Sequence, residues 1–150
     1  MSTGYAIRPM GEQDVTAVHK IEVECYTNPW TAESFRYEIT QSPVSSFFVA
    51  EDAGRNILGY IGVWLIEDEL HINNLAVKTG SRRQGIAAGL LEHILAYVAG
   101  RKVSIATLEV RSSNVAAISL YSRFGFRQAG LRRGYYTSPT DDAIIMTKEL

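Results

Sequence analysis

The sequence predicts an α/β fold in which one mixed (α+β) sheet carries helices on both faces. Strand-like apolar runs alternate with amphipathic segments of helical period, in the order βααβββαβαββ. The connections between the three consecutive strands of this order are short, which favours an antiparallel meander. The strand–helix–strand passage through residues 70–110 predicts a parallel crossover, so the sheet should be mixed.

The first third of the chain predicts one strand and two helices. Residues 5–10 form the strand, which ends near Pro9 because proline cannot donate a hydrogen bond to a neighbouring strand. Apolar side chains recur at helical spacing over residues 14–25, and "TNPW" ends this helix because the residue before a proline disfavours helical conformation. A second helix covers residues 31–39, with Thr31 as its N-cap.

The middle of the chain predicts three strands and a helix. The strands lie at residues 45–52, 57–68 and 69–77, separated by short turns. The helix begins at Gly85 and is ended by Gly100. Its apolar stripe consists of Ile86, Leu90, Leu91, Ile94, Leu95 and Val98.

The last third predicts a strand, a helix and a final pair of strands. The strand covers residues 103–110, and the helix covers residues 114–124 and is ended by Gly125. The final antiparallel pair covers residues 126–136 and 142–150. The segment "TSPTD" between them has the composition of a turn.

Composition narrows the class of protein. Hydrophobic residues make up 46% and charged residues 21% of the 150 residues, which fits one globular domain over residues 1–150. The formal net charge of -1 argues against a dedicated nucleic-acid-binding protein. The single cysteine, Cys25, excludes an intramolecular disulfide and is expected to be buried, and no Cys/His spacing indicates a metal site. Neither a leader sequence nor a run of roughly 18 apolar residues is visible, so we expect a cytoplasmic protein that does not bind membranes.

The segment "RRQGIA", residues 82–87, places two arginines at the start of the third helix. A helix N-terminus already carries the positive end of the helix dipole, so Arg82 and Arg83 are unfavourable there unless an anion binds. Gly85 and the small Ala87 would let a ligand approach the backbone N–H groups. The segment matches neither a Walker A loop nor a dinucleotide fingerprint. We therefore predict a pyrophosphate site, the alternative being a solvated basic turn.

This segment resembles the motif Q/R-x-x-G-x-G/A of the GNAT superfamily of N-acetyltransferases, and the element order resembles the GNAT fold over essentially the whole chain. The resemblance implies acetyl-CoA as co-substrate and no metal. In that family this loop binds the pyrophosphate, and the main chain of the preceding strand holds the pantetheine arm. The implied acetyl-CoA contacts are Leu75, Ala76, Val77, Arg82, Arg83, Gln84, Gly85, Ile86, Ala87, Ala88 and Asn114.

The second half of the chain resembles, more narrowly, the bacterial ribosomal-protein alanine N-acetyltransferases. The resemblance is carried by "LEVRSSNVAAISLYSRFGF", residues 108–126, and by "RRGYY" and "DDAIIM" near the C-terminus. It implies that Glu109 is the general base, that Tyr121 is the general acid and that Asn114 holds the cofactor arm. It also implies direct attack of an amine on the thioester in a ternary complex.

General chemistry agrees with these roles and leaves alternatives open. A carboxylate can accept the proton that a protonated amine must lose, and a phenol can donate one to the departing thiolate. Glu109 could instead only pair with an arginine, and Tyr121 could be a core residue, since its spacing from Ile118 and Phe124 fits a packed face. His71 could be an alternative base, a substrate contact or a half-buried strand residue.

Two aromatic loops are predicted to flank the acceptor entrance, as the resemblance implies. One contains Trp30, and the other contains Tyr135 and Tyr136. Trp30 could instead cap the core. Tyr135 and Tyr136 are adjacent, so in a strand they should face opposite sides and only one can be buried, which leaves at least one available to the substrate.

The sequence therefore predicts an acetyl-CoA-dependent peptide N-terminal acetyltransferase. The expected acceptor is the N-terminal alanine of a small-subunit ribosomal protein, and the expected state is a monomer or weak homodimer without direct nucleic-acid contact. Two alternatives remain. A GNAT enzyme could acetylate lysine side chains, polyamines or other small amines, and a protein of this fold could bind acyl-CoA as a sensor without turnover.

Overall fold

Within residues 4–150, which the computed structural model describes, seven strands and four α-helices follow the order βααβββαβαββ. The strands are β1 (Tyr5–Pro9), β2 (Ser45–Asp52), β3 (Ile57–Ile66), β4 (Glu69–Val77), β5 (Ile105–Arg111), β6 (Arg127–Tyr136) and β7 (Asp141–Glu149). The helices are α1 (Val15–Cys25), α2 (Ala32–Thr40), α3 (Ile86–Val98) and α4 (Val115–Arg123). Residues 1–3, part of the stretch in which no leader is expected, lie outside the described residues.

All the strands belong to one sheet, in the order β1-β2-β3-β4-β5-β7-β6. Neighbouring strands are antiparallel except β4 and β5, which are parallel and are joined by the crossover through α3. The meander β2-β3-β4 and the final pair β6-β7 are both antiparallel. The predicted α/β fold with a mixed sheet is confirmed.

The parallel pairing of β4 with β5 is short, and beyond it a gap opens in the middle of the sheet. Pairing joins only residues 69–72 of β4 to residues 105–108 of β5. From Glu109 onward β5 stays paired only with β7, its partner along the whole strand, while β4 continues beside β3. A register shift leaves Asn73 as the extra residue of a β-bulge in β4. The ends of the two strands therefore line a cleft.

A separate apolar core lies on each face of the sheet, as the alternation along β2 illustrates. Phe47 and Val49 pack into the core formed with α1 and α2. Phe48 and Ala50 point to the other face and pack into the core formed with α3 and α4. The prediction of helices on both faces is therefore confirmed. None of the described helices has the length and apolar character needed to cross a membrane.

The predicted element ends agree closely with the structure where a local signal sets them. The Thr31 hydroxyl accepts a hydrogen bond from the N–H of Ser34 at 3.0 Å and caps α2 as predicted. Gly125 follows α4 at φ 92°. The strand β3 ends at Ile66 instead of residue 68, because Glu67 adopts φ 54° and turns the chain.

Candidate active site

Two adjoining cavities lie at the gap between β4 and β5. The first, which we name the α3 cavity, surrounds the N-terminus of α3 and has a volume of about 610 Å³. The second, the β5 cavity, lies beside Glu109 and has a volume of about 590 Å³. They share a wall formed by Cys25, Tyr26, Leu75, Asn114, Ala117 and Tyr121. A ligand in the α3 cavity can therefore reach groups that face the β5 cavity.

The α3 cavity has the properties of an anion site. Gly85 precedes the helix at φ 75°, a left-handed conformation that favours glycine. A Cβ atom built on Gly85 would meet no heavy atom within 4 Å, so the space beside the backbone is open. The first N–H groups of α3 have no partner within the helix, and Arg82 and Arg83 also line the cavity. These features match what a pyrophosphate requires.

The residues implied to bind acetyl-CoA converge on this cavity, with one exception. Gln84 is exposed and does not line it, whereas all the others do. Asn114 also has a local role that the sequence did not reveal, because its Oδ1 accepts a hydrogen bond from the N–H of Ala117 at 3.2 Å and caps α4. Cofactor binding by all of these residues stays a prediction.

Cys25 lies at the shared wall and is half-buried, not fully buried as expected. Its thiol donates to the carbonyl oxygen of Val77 at 3.5 Å, and Arg82 Nη2 donates to its Sγ at 3.2 Å. Burial raises the pKa of the Cys25 thiol, so the thiol stays protonated at neutral pH. Cys25 therefore contacts the loop that carries Arg82 and Arg83, and it has no thiolate character.

Glu109 lines the β5 cavity, on the opposite side of the strand from the buried Leu108 and Val110. Its side chain is 35% exposed. The Tyr135 hydroxyl donates to Glu109 Oε1 at 3.3 Å, and Arg132 Nε lies 3.3 Å from Oε2. Glu109 thus pairs with an arginine, the alternative that the sequence left open, and also lies in the cavity wall.

Tyr121 is 7% exposed and lines both cavities. Burial, and secondarily the nearby Tyr136, raises the pKa of the Tyr121 phenol above its usual value. The Tyr121 phenol therefore stays protonated at neutral pH. Its ring also packs against Phe126 with ring centres 5.7 Å apart, so the core position anticipated as an alternative is observed as well.

Tyr135 and Tyr136 do not face opposite sides of β6, and this prediction is wrong. Both line the β5 cavity, and their ring centres lie 5.1 Å apart. The alternation fails because the pairing of β6 with β7 is irregular between Arg132 and Tyr136, and Gly134 lies there at φ 60°. Tyr135 is exposed, whereas partial burial raises the pKa of Tyr136 to about 12.

Trp30 and His71 each show the structural role that the sequence allowed. The Trp30 ring packs against Phe35 and Phe47 at centre distances of 5.5 and 6.1 Å, and Trp30 also lines the β5 cavity. His71 Nε2 lies 3.1 Å from Glu69 Oε1, and His71 lines neither cavity. Substrate binding by Trp30, Tyr135 and Tyr136 stays a prediction.

Glu22, Asn74 and Tyr26 are among the cavity residues that were not singled out from the sequence. Glu22 and Asn74 are buried polar residues that line the β5 cavity. The Tyr26 hydroxyl donates to the carbonyl oxygen of Leu75 at 2.9 Å. Over residues 4–150, no group of three or more His, Cys, Asp or Glu side chains is arranged to hold a metal ion.

Comparison with known proteins places these features in a family. The sequence profile described as "Acetyltransferase (GNAT) family" matches residues 15–126. An Escherichia coli protein named ribosomal protein bS18-alanine N-acetyltransferase is 33% identical over 144 residues, 89% of each chain. A Bacillus subtilis relative bears the same name as a provisional assignment and is 36% identical over 146 residues, 97% of this chain and 96% of the relative.

Comparison of the fold with solved structures agrees with the sequence comparison. The crystal structure of the ribosomal-protein-S18-alanine N-acetyltransferase from Escherichia coli matches with a TM-score of 0.88 at 33% identity, covering 97% of this chain and 93% of that one. The profile spans the loop that carries Arg82 and Arg83, β5 and α4, which all contribute to the cavities. The chain therefore belongs to the GNAT family of acetyltransferases, as the "RRQGIA" motif and the order of elements predict.

Proposed function

We propose that the protein transfers the acetyl group of acetyl-CoA to the N-terminal α-amine of a protein in the cytoplasm, with the N-terminal alanine of a small-subunit ribosomal protein as preferred acceptor. One observation carries the proposal: Glu109 and Tyr121 line one cavity, and this cavity shares a wall with the anion site of α3. The names of the Escherichia coli and Bacillus subtilis relatives support the choice of acceptor.

The α3 cavity offers acetyl-CoA positively charged side chains and open access to backbone N–H groups. Arg82, Arg83 and the first N–H groups of α3 would hold the pyrophosphate, and the open space beside Gly85 would let it reach the backbone. The main chain of residues 75–77 would hold the pantetheine arm, since these residues line the same cavity. When bound, acetyl-CoA supplies an acetyl thioester as the acyl donor.

Two side chains carry out the proton transfers that accompany acetyl transfer. The Glu109 carboxylate accepts the proton that the acceptor ammonium must lose before its nitrogen can form the new amide bond. The Tyr121 phenol keeps its proton at neutral pH and donates it to the sulfur as the carbon–sulfur bond breaks. The second proton, which the nitrogen loses as the amide forms, restores the phenol, and Glu109 releases its proton to the solvent, so the products are the amide, the free thiol and one proton. The Tyr135 hydroxyl and Arg132 hold the carboxylate of Glu109 in the cavity wall.

Replacing Gly85 by alanine is expected to weaken acetyl-CoA binding about tenfold, equivalent to about 1.4 kcal/mol. The added methyl group would occupy the open space beside the N–H groups, and φ 75° strains any residue with a Cβ. Gly80→Ala is the matched control, because a Cβ there also meets nothing within 4 Å and the backbone needs no positive φ. Calorimetric titration with acetyl-CoA measures both variants. Equal dissociation constants for the two would contradict the assigned pyrophosphate position.

A panel of acceptors tests the chemistry of the amine. The wild-type protein is mixed with acetyl-CoA and with one of three acceptors. The first is a peptide that begins with alanine. The second is a peptide that is blocked at its N-terminus and carries an internal lysine, and the third is a polyamine. We expect kcat/KM, followed by release of free thiol, to be about tenfold or more higher for the alanine peptide. Faster acetylation of the lysine peptide or the polyamine would overturn the α-amine assignment. An absence of thiol release with every acceptor would instead indicate an acyl-CoA-binding protein without turnover.

A further inference from the structure

Glu22 is a buried carboxylate that the proposed proton transfers do not use. It lies on α1 and is 2% exposed, yet it lines the β5 cavity. Its Oε1 accepts hydrogen bonds from the Tyr60 hydroxyl of β3 and from Asn74 Nδ2 of β4, the latter at 3.3 Å. Its Oε2 accepts a hydrogen bond from the N–H of Trp30 at 2.9 Å. Glu22 therefore joins three elements around the wall of the cavity.

No cationic side chain balances this carboxylate in the part of the chain that the structure describes. The ion pairs found there all involve other acidic residues. A buried charge is costly unless a partner compensates it, and three neutral donors replace only part of the lost hydration. A ligand that brings a positive charge into the β5 cavity would provide the missing compensation.

A second group in the same wall lacks a partner. Asn74 is 3% exposed, and its Oδ1 has no hydrogen-bond partner among residues 4–150. The same amide group donates to Glu22, so its unpaired oxygen lies close to the carboxylate. Both groups are hydrogen-bond acceptors, and an ammonium group offers three N–H donors and a positive charge.

We infer that Glu22, with Asn74 beside it, forms the anionic subsite that selects an acceptor whose N-terminal amine is protonated. The inference rests on the proposed function, because it names what holds the α-amine before the amine reacts. Glu22 determines the affinity for the charged amine, whereas Glu109 accepts the proton. Loss of the charge on Glu22 should therefore raise KM for the peptide and leave kcat at saturating peptide within about twofold.

The test compares two peptides that differ only in charge at the N-terminus. One begins with alanine, and in the other a 2-hydroxypropanoyl group puts a hydroxyl in place of the ammonium. Their dissociation constants are measured by calorimetry on protein saturated with CoA, so that no transfer occurs. The wild-type protein is expected to bind the alanine peptide about tenfold or more tightly than the hydroxyl peptide, as a charge-assisted hydrogen bond allows. Glu22→Gln should remove most of this preference and leave the affinity for the hydroxyl peptide within about twofold.

The Tyr60→Phe variant separates the effect of the charge on Glu22 from the effect of the hydrogen bonds that hold its side chain. The Tyr60 ring is fully buried, lines neither cavity and packs against Phe35 with ring centres 5.8 Å apart. The substitution keeps this packing and removes one donor to Glu22 without removing the negative charge. We expect Tyr60→Phe to keep the preference for the alanine peptide, in contrast to Glu22→Gln.

Each outcome decides the question. Equal binding of the two peptides to the wild-type protein overturns the inference. This comparison needs no variant, so the inference can be tested even if the Glu22→Gln protein does not fold. An equal weakening of both peptides by Glu22→Gln would show a purely structural role and also overturn it. An intact preference in Glu22→Gln would assign the ammonium to Glu109 instead. If the wild-type protein does not acetylate the alanine peptide at all, the proposed function fails and this inference fails with it.

Discussion

Replacement of Glu109 by glutamine is expected to lower kcat by about a hundredfold, the low end of what a positioned general base contributes. The amide keeps the size of the side chain but cannot accept a proton at neutral pH. Acetyl-CoA binding should be unchanged, because Glu109 lines the β5 cavity and not the α3 cavity. Steady-state rates with the alanine peptide and calorimetric titration of acetyl-CoA measure the two quantities separately.

Loss of the ion pair between Glu109 and Arg132 is a competing explanation for a slow Glu109→Gln variant, and a substitution of Arg132 tests it. Both side chains are partly exposed, and such pairs contribute only about 0–1 kcal/mol to stability. Arg132→Gln removes the pair and leaves the carboxylate in the cavity wall. We expect this variant to lose far less activity than Glu109→Gln, with both keeping a Tm near that of the wild-type protein. Equal losses in the two variants, or near-wild-type turnover of Glu109→Gln, would refute the role of general base.

The order of elements could be predicted because each element is encoded by neighbouring residues. Thr31 caps α2 through its own hydroxyl, and Gly125 permits the turn after α4. The apolar stripe of α3 covers one face of the sheet. The prediction failed where a strand is irregular, since Tyr135 and Tyr136 follow Gly134 at φ 60° and both reach one cavity. Alternation along a strand predicts facing only while the backbone stays regular.

The candidate site could be predicted in its motif-bearing half and not in its buried half. "RRQGIA" and "LEVR" are contiguous patterns, whereas Asn74 and Tyr26 become cavity residues only because β4 and β5 separate beyond residue 72. No local pattern encodes that separation. Glu22 did carry a signal: it follows Val18 by four residues and precedes Cys25 by three, which puts a carboxylate on the apolar side of α1. A charged residue at such a position indicates either a partner or a ligand.

Replacement of Tyr121 by phenylalanine is expected to lower kcat about a hundredfold without changing the affinity for acetyl-CoA. The ring and its packing against Phe126 are kept, so the fold should be unaffected. The substitution removes only the hydroxyl, which forms no hydrogen bond with any described residue and is therefore available to a ligand at the shared wall. Because burial raises the pKa of this phenol, the wild-type protein carries the proton throughout the working pH range.

A second phenol distinguishes proton donation from a merely structural role. Because the Tyr121 phenol of the wild-type protein keeps its proton throughout the working pH range, the deficit of Tyr121→Phe should be constant with pH. Tyr26→Phe is the matched control, since the Tyr26 hydroxyl lines the same wall but already donates to the carbonyl oxygen of Leu75. We expect Tyr26→Phe to reduce kcat much less at neutral pH. A deficit of Tyr121→Phe that disappears within the working pH range, or an equal loss in Tyr26→Phe, would show that the proton reaches the sulfur by another route.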